Sequence, residues 1–233
     1  MSSALKQKVV AKLSTLVKKV DEPPAMDVLK RMVYAICREG TSRDEADAAF
    51  KKLGESFFDL NEVRVSAARE VAKALKALPD NMDRAERIIS ILQEVFETTY
   101  SFDLESLHKK GLKQAQKLLE RYRGSSPFLV AHVLRHSMDG HAMPVDEDML
   151  RCMKRLELVE EDADLESAQT TLENLIPKNK GIAVSEALTL VAQNYCHETN
   201  PKHAACPLHD VCPSAVLKKS SSNGKMATVK GKK

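Results

Sequence analysis

The sequence predicts an all-α protein, and three observations carry that expectation. Apolar residues recur at spacings of three and four along most of the chain, which is the period of one helix face. Alternation at every second residue, the mark of a half-buried strand, is almost absent. Proline and glycine gather at a few breaks, chiefly Glu22-Pro23-Pro24, Pro79-Asp80-Asn81, Gly124 to Pro127 and Pro177 to Gly181, and so separate long periodic stretches.

Each helix has its own justification. From Ser3 to Val20, Leu5, Val9, Leu13, Leu16, Val17 and Val20 share one face and lysines the other. The double proline ends that helix, because proline disfavours helix in the residue before it and donates no hydrogen bond. A second helix is expected from about Met26 to Arg38, stopped by Gly40. Ser42 can then cap a third from Arg43 to Leu53. Further helices are expected at 63–77, 82–98, 103–109, 112–122, 128–138, 146–156, 165–175 and 183–195. With 43% hydrophobic and 30% charged residues among 233, the chain has the composition of a folded domain with a real core. Residues 218–233, rich in Ser, Gly and Lys, read as a disordered tail.

Charge narrows the function classes. The net charge is +3, from 36 Lys and Arg against 33 Asp and Glu, yet Lys218, Lys219, Lys225, Lys230, Lys232 and Lys233 all lie in the tail. Without those six, 30 basic residues face 33 acidic ones, so the body is slightly acidic. That argues against a globally basic nucleic-acid binder and leaves room for a local basic site or a tail that touches phosphates. No apolar run reaches the roughly 20 residues needed to span a bilayer. The N-terminus has Lys6, Lys8 and Lys12 but no continuous apolar stretch, so the protein is not expected to be secreted. Its five cysteines then read first as thiols or metal ligands.

Three local patterns point to chemistry. In the stretch from Leu118 to Val130, a helix ends near Tyr122 or Arg123, Gly124 can take positive φ, Ser126 suits an N-cap and Pro127 the first helical position. Two helices joined in this way present backbone N–H groups at the turn, a natural seat for a DNA phosphate, although an ordinary corner between helices reads the same. Arg121 and Arg123 flank the turn, and with Gly124, Ser125 and Ser126 they are the candidate DNA contacts. Asp146 follows at the start of the next helix, as an N-cap or as a functional carboxylate. Finally, Cys196, His203, Cys206 and Cys212 are spaced Cys-x6-His-x2-Cys-x5-Cys. Thiolate and imidazole donors so close in sequence suit zinc or an iron–sulfur centre; a relic loop with free thiols is the alternative. Cys37 and Cys152 read as buried apolar residues on helix faces. His132, His136 and His141 read as helix-surface histidines, Lys178 and Lys180 as a polar connection, and the acidic run Glu160-Glu161-Asp162 as a solvated face.

In this order, hairpin, aspartate and ligand loop resemble the endonuclease III branch of the helix–hairpin–helix DNA glycosylases. The family hairpin reads Leu-Pro-Gly-Val-Gly-(Arg)-Lys-Thr-Ala, and Tyr122 to Val130 falls on it without gaps. The family's Val-Asp-Thr-His falls on Val145-Asp146-Glu147-Asp148, and its terminal Cys-x6-Cys-x2-Cys-x5-Cys loop on residues 196–212, with His203 at the second ligand. The resemblance implies a two-lobed fold within residues 25–217: a central helical barrel at about 44–145, and a second lobe joining N-terminal helices to the loop at 196–212. Residues 1–24 would be an N-terminal extension. It implies double-stranded DNA as partner, bound across the cleft with the base flipped toward Asp146, a cytoplasmic (nucleoid-associated) or nuclear location, and a four-iron four-sulfur cluster with a histidine ligand, or zinc, or no metal. It also implies losses. Phe128 stands where bifunctional members carry the lysine that attacks the sugar C1′, so AP-lyase activity is not expected. Gly40 stands where the family has a wedge glutamine, and Ser126 replaces the second hairpin glycine. The expected function is DNA binding of the base-excision-repair type without lyase chemistry. The alternatives are a monofunctional N-glycosylase using Asp146 as catalytic residue, and a non-catalytic helical interaction protein.

Overall fold

The computed structural model describes residues 3–17 and 25–215. The expected end of the first helix at Val20, the Glu22-Pro23-Pro24 break and the lysine tail lie outside them. Among the described residues there are eleven α-helices, three short 3-10 helices and no strand. The α-helices are α1 Ser3–Leu16, α2 Val28–Arg38, α3 Arg43–Ser56, α4 Leu60–Val65, α5 Ala68–Ala74, α6 Asn81–Thr99, α7 Leu112–Leu119, α8 Pro127–Ser137, α9 Glu147–Arg155, α10 Leu165–Leu175 and α11 Gly181–Asn194.

Capping explains most boundaries. Asp27 caps α2, Ser42 forms a reciprocal capping box with Glu45 at α3, and Ser126 caps α8 with Pro127 in its first turn. The single helix expected at 63–77 is two. Asp59 caps α4 by accepting from the Glu62 amide at 2.8 Å, the Ser66 amide closes α4 on Glu62 and Val63, and the Glu70 carboxylate takes the Ala67 amide to start α5. The stretch at 103–109 is a 3-10 helix, Glu105–Lys109. The Pro-Lys-Asn-Lys-Gly connection is another, Lys178–Lys180, and it runs straight into α11.

Two apolar clusters divide the molecule. The first gathers buried residues from Val28 to Ala142, so α2 packs against α3, α6 and α8 inside it. The second joins Val9 and Leu13 of α1 to buried residues from Met143 to Ala215, with α1 and α9 both against α11. α1, expected as an N-terminal extension, packs into the second cluster, and α2, expected in the second lobe, is in the first. α2 is buried nearly all round, and a helix apolar on more than one face belongs inside a core.

Candidate functional site

The hairpin is built by contacts from elsewhere in the first lobe. Gly124 has φ +93°, and a Cβ there would lie 2.9 Å from the Arg87 carbonyl oxygen, so glycine is required by conformation and by space. Arg87 Nε donates to Gly124 O at 2.9 Å, and its guanidinium also donates to Glu39 Oε2 at 2.7 Å. Ser126 Oγ donates to that same carboxylate at 3.0 Å and accepts from the Leu129 amide at 3.1 Å. The Arg123 amide donates to Glu94 Oε2 at 2.7 Å, while its side chain is 80% exposed beside the same carboxylate. Ser125 donates its amide to Tyr122 O. Among the described residues, the amides of Gly124 and Ser126 have no hydrogen-bond partner. Arg121 is exposed at the edge of the turn. A groove of about 590 Å³ runs alongside, past Ser125, Ser126 and Pro127 to Gln169 and Glu173 of α10. Glu39, Arg87 and Glu94 carry no local sequence signal, because they reach the hairpin from α6 and from the turn after α2.

Asp146 sits at the N-terminus of α9 and is 5% exposed. Its Oδ1 accepts from the Met149 amide at 2.8 Å and its Oδ2 from the Gly40 amide at 3.1 Å. Burial raises its carboxyl pKa, while the two amide hydrogen bonds pull it down. Gly40, at φ +69°, thus ties the carboxylate across the junction of the two clusters. Other ties lie beside it. Arg38 donates to Glu186 Oε2 at 2.9 Å and to Thr41 O. Arg135 donates to Ala142 O at 2.8 Å and Lys178 O at 2.9 Å. A Cβ at Gly181 would displace the Arg135 guanidinium.

The space between the clusters is uneven: open, at about 530 Å³, between Gly40, Ser42 and Glu45 on one side and Asp148, Arg151 and Asn194 on the other, and nearly filled beside Phe128. Phe128, His132, Arg38 and Glu186 line a space of about 20 Å³, room for about one water molecule. His132 and His136 are not surface residues: His132 is 5% exposed, their ring centroids are 4.4 Å apart, and Phe128 stacks on His132. The reason is that α8 is covered on this side by α2 and the start of α11, so the i,i+4 stripe faces the junction. Burial drives the His136 pKa down to about 3, helped by Arg31 and Arg135, and drives His132 well below its ordinary value. His141 is exposed, with Nε2 2.8 Å from Glu173 O. Lys178 pairs with Asp139 at 2.7 Å, and Glu160, Glu161 and Asp162 are solvated.

The C-terminal loop closes on α9. Cys196, Cys206, Cys212 and His203 line a void of about 20 Å³, and Cys152 of α9 lines it with them. Cys152 is thus not only a core residue, since α9 delivers it to the loop from far away in sequence. Contact with Cys196 raises the Cys152 thiol pKa, as burial also does, and lowers that of Cys196. Arg155 grips the loop, donating to Cys196 O at 3.1 Å, Cys196 Sγ at 3.4 Å and Glu198 O at 2.9 Å. Cys37 is buried in the first cluster, as expected. Among the described residues no group of three or more His, Cys, Asp or Glu side chains is arranged, as placed, to hold a metal ion. No described helix is long and apolar enough to cross a membrane.

No protein-family profile and no curated protein matches the chain. Solved structures do. Endonuclease III in a trapped covalent intermediate with DNA superposes with a TM-score of 0.70 at 15% identity, covering 94% of this chain and all of that one. A thermostable thymine-DNA glycosylase gives 0.66 at 18%, covering 93% and 100%. The Helicobacter pylori 3-methyladenine DNA glycosylase bound to 1,N6-ethenoadenine gives 0.60 at 14%, covering 79% and 95%. The chain therefore has the all-α helix–hairpin–helix fold of the DNA glycosylases.

Proposed function

We propose that this protein binds double-stranded DNA through the hairpin between α7 and α8 and has no AP-lyase activity. The observation that carries the reading is the hairpin itself, on this fold: two amides, at Gly124 and Ser126, without a partner among the described residues, with the N-terminus of α8 directly behind them. Such amides and the positive end of the helix dipole suit a phosphate oxygen. Of the two carboxylates bonded to the turn, Glu39 is paired with Arg87 and Glu94 with Arg123. The neighbouring structures include a complex of endonuclease III with DNA, which supports a nucleic-acid partner for the same surface. Phe128 supports the loss of lyase chemistry. It is 3% exposed and offers no amine to form a Schiff base. The doubly bonded Asp146 and the space of about 20 Å³ beside Phe128 support binding without excision there: a flipped base needs far more room than one water molecule, and in this reading the carboxylate is a tie between lobes.

Duplex binding by the full chain and by a chain ending at residue 217 tests this. We expect salt-dependent binding by both, and no borohydride-trapped adduct on abasic duplex with either. Binding that vanishes with the tail would overturn the hairpin reading, and a trapped adduct would overturn the absence of lyase chemistry.

A further inference from the structure

The void beneath the C-terminal loop has a fourth sulfur that spacing does not reveal. The linear pattern assigns its donors to Cys196, His203, Cys206 and Cys212. In the folded chain Cys152, 1% exposed on the inner face of α9, faces the same void. We propose that Cys152, Cys196, Cys206 and Cys212 bind a single thiophilic divalent ion such as zinc, with Cys152 as fourth ligand and His203 outside the coordination sphere.

The size of the site favours one ion. A space of about 20 Å³ matches a single sphere of about water size, whereas a cubane of four irons and four sulfides needs the loop displaced outward. The donors favour a thiophilic ion, since four thiolates form a closed tetrahedral site, typically with Zn–S near 2.3 Å. The surroundings favour it as well. Four thiolates on a divalent ion leave two net negative charges, and Arg155 already donates to Cys196 Sγ while Arg151 and Arg155 both donate to the Cys196 carbonyl. Such outer partners orient ligands and offset their charge. His203, by contrast, is in a 3-10 turn that its carbonyl fastens to His209 Nδ1 at 2.9 Å. Rotation of the cysteine side chains between staggered wells is what would bring the four sulfurs onto one ion.

The experiment uses the full chain, purified without chelator and loaded with zinc. Elemental analysis is expected to give one zinc per chain, and X-ray absorption at the zinc edge four sulfur neighbours with no nitrogen. Three sulfurs and one nitrogen would return the fourth place to His203 and overturn the proposal. A brown protein with four irons, or a chain that takes up no zinc, would overturn it too. Cys152→Ser is expected to weaken zinc binding by more than about 100-fold, beyond the usual cost of losing an outer-shell partner, while His203→Ala leaves stoichiometry and sulfur count unchanged. The absorption measurement on the unaltered chain decides the matter even if Cys152→Ser fails to fold.

Discussion

The junction between the two lobes and the hairpin edge are neighbours with opposite characters. At the centre of the junction, beside Phe128, the space is about 20 Å³; Asp146 is bonded to two backbone amides, Arg38 to Glu186 and Arg135 to two carbonyls, while His132 Nδ1, Arg135 Nε and Ser185 Oγ are buried without a partner among the described residues. Beside the hairpin the groove is about 590 Å³, and two backbone amides have no partner among the described residues. In the function proposed above, the centre of the junction is a seam and the hairpin edge the docking surface.

The largest expected effect tests the seam through pH. His136 has a folded pKa of about 3 against an ordinary 6.5, so it stays neutral when folded and takes a proton when unfolded. Between those values the unfolded state binds more protons, and stability falls as pH falls from about 6.5 toward 3. The loss is of order 3 kcal/mol for His136 alone after allowance for its partial contact with water, with His132 adding to it. Asp146 works the other way, since its carboxyl is raised and its protonation favours the folded state at low pH. Urea midpoints at pH 7, 5.5 and 4 should decline steadily, and His136→Gln should flatten the decline. A flat wild-type profile would mean that the seam opens readily and that the contrast with the hairpin is unreal.

Gly124→Ala tests the other side of the comparison. The substitution combines a φ of +93° with a Cβ 2.9 Å from a backbone oxygen, so roughly 3 kcal/mol of destabilisation is expected. Any protein that remains folded should bind duplex DNA more weakly, because the turn that presents the amides has shifted. Undiminished binding would place the DNA contact elsewhere.

The two regions were not equally legible before the structure was known. Gly124, Ser126 and Pro127 could be read because a turn and a helix start are local demands on neighbouring residues. The Asp146 N-cap was legible for the same reason. Its bond to Gly40 was not, since that contact joins residues far apart in sequence. The sequence alone places His132 and His136 on a helix surface, because an i,i+4 pair does not reveal which helix will cover it, and α2, α8 and α11 meet only in the folded chain. Cys152 escaped notice as a loop partner for the same reason. The sequence predicts one helix at 63–77 because periodicity records which residues are apolar and not where the chain breaks, here at Ser66 and Ala67 between α4 and α5.

Asp146 separates a seam from an active site. Asp146→Ala removes an N-cap, typically worth about 1 kcal/mol, and also the buried bond to the Gly40 amide, so about 2 kcal/mol is expected in total. Asp146→Asn keeps one acceptor oxygen and should cost about half as much. Both should leave duplex affinity nearly unchanged. Excision from damaged duplexes that is abolished by Asp146→Asn while stability is preserved would make the carboxylate a catalyst and the seam a working cleft.

The smallest effects belong to the rim arginines, and their order is informative. A side chain that neutralises one phosphate contributes roughly one unit to the slope of log affinity against log salt. Arg121 is exposed, whereas Arg123 already faces Glu94 Oε1 at 3.5 Å. Binding DNA would make Arg123 exchange one anion for another, so Arg121→Ala should lower the slope by about one unit and Arg123→Ala by less. Glu94→Gln frees Arg123 and releases the carboxylate's hold on its amide, which should steepen the slope and tighten binding at low salt. If Arg123 dominates instead, the pair with Glu94 breaks on contact with DNA, and the open edge is itself held in reserve by an acidic residue.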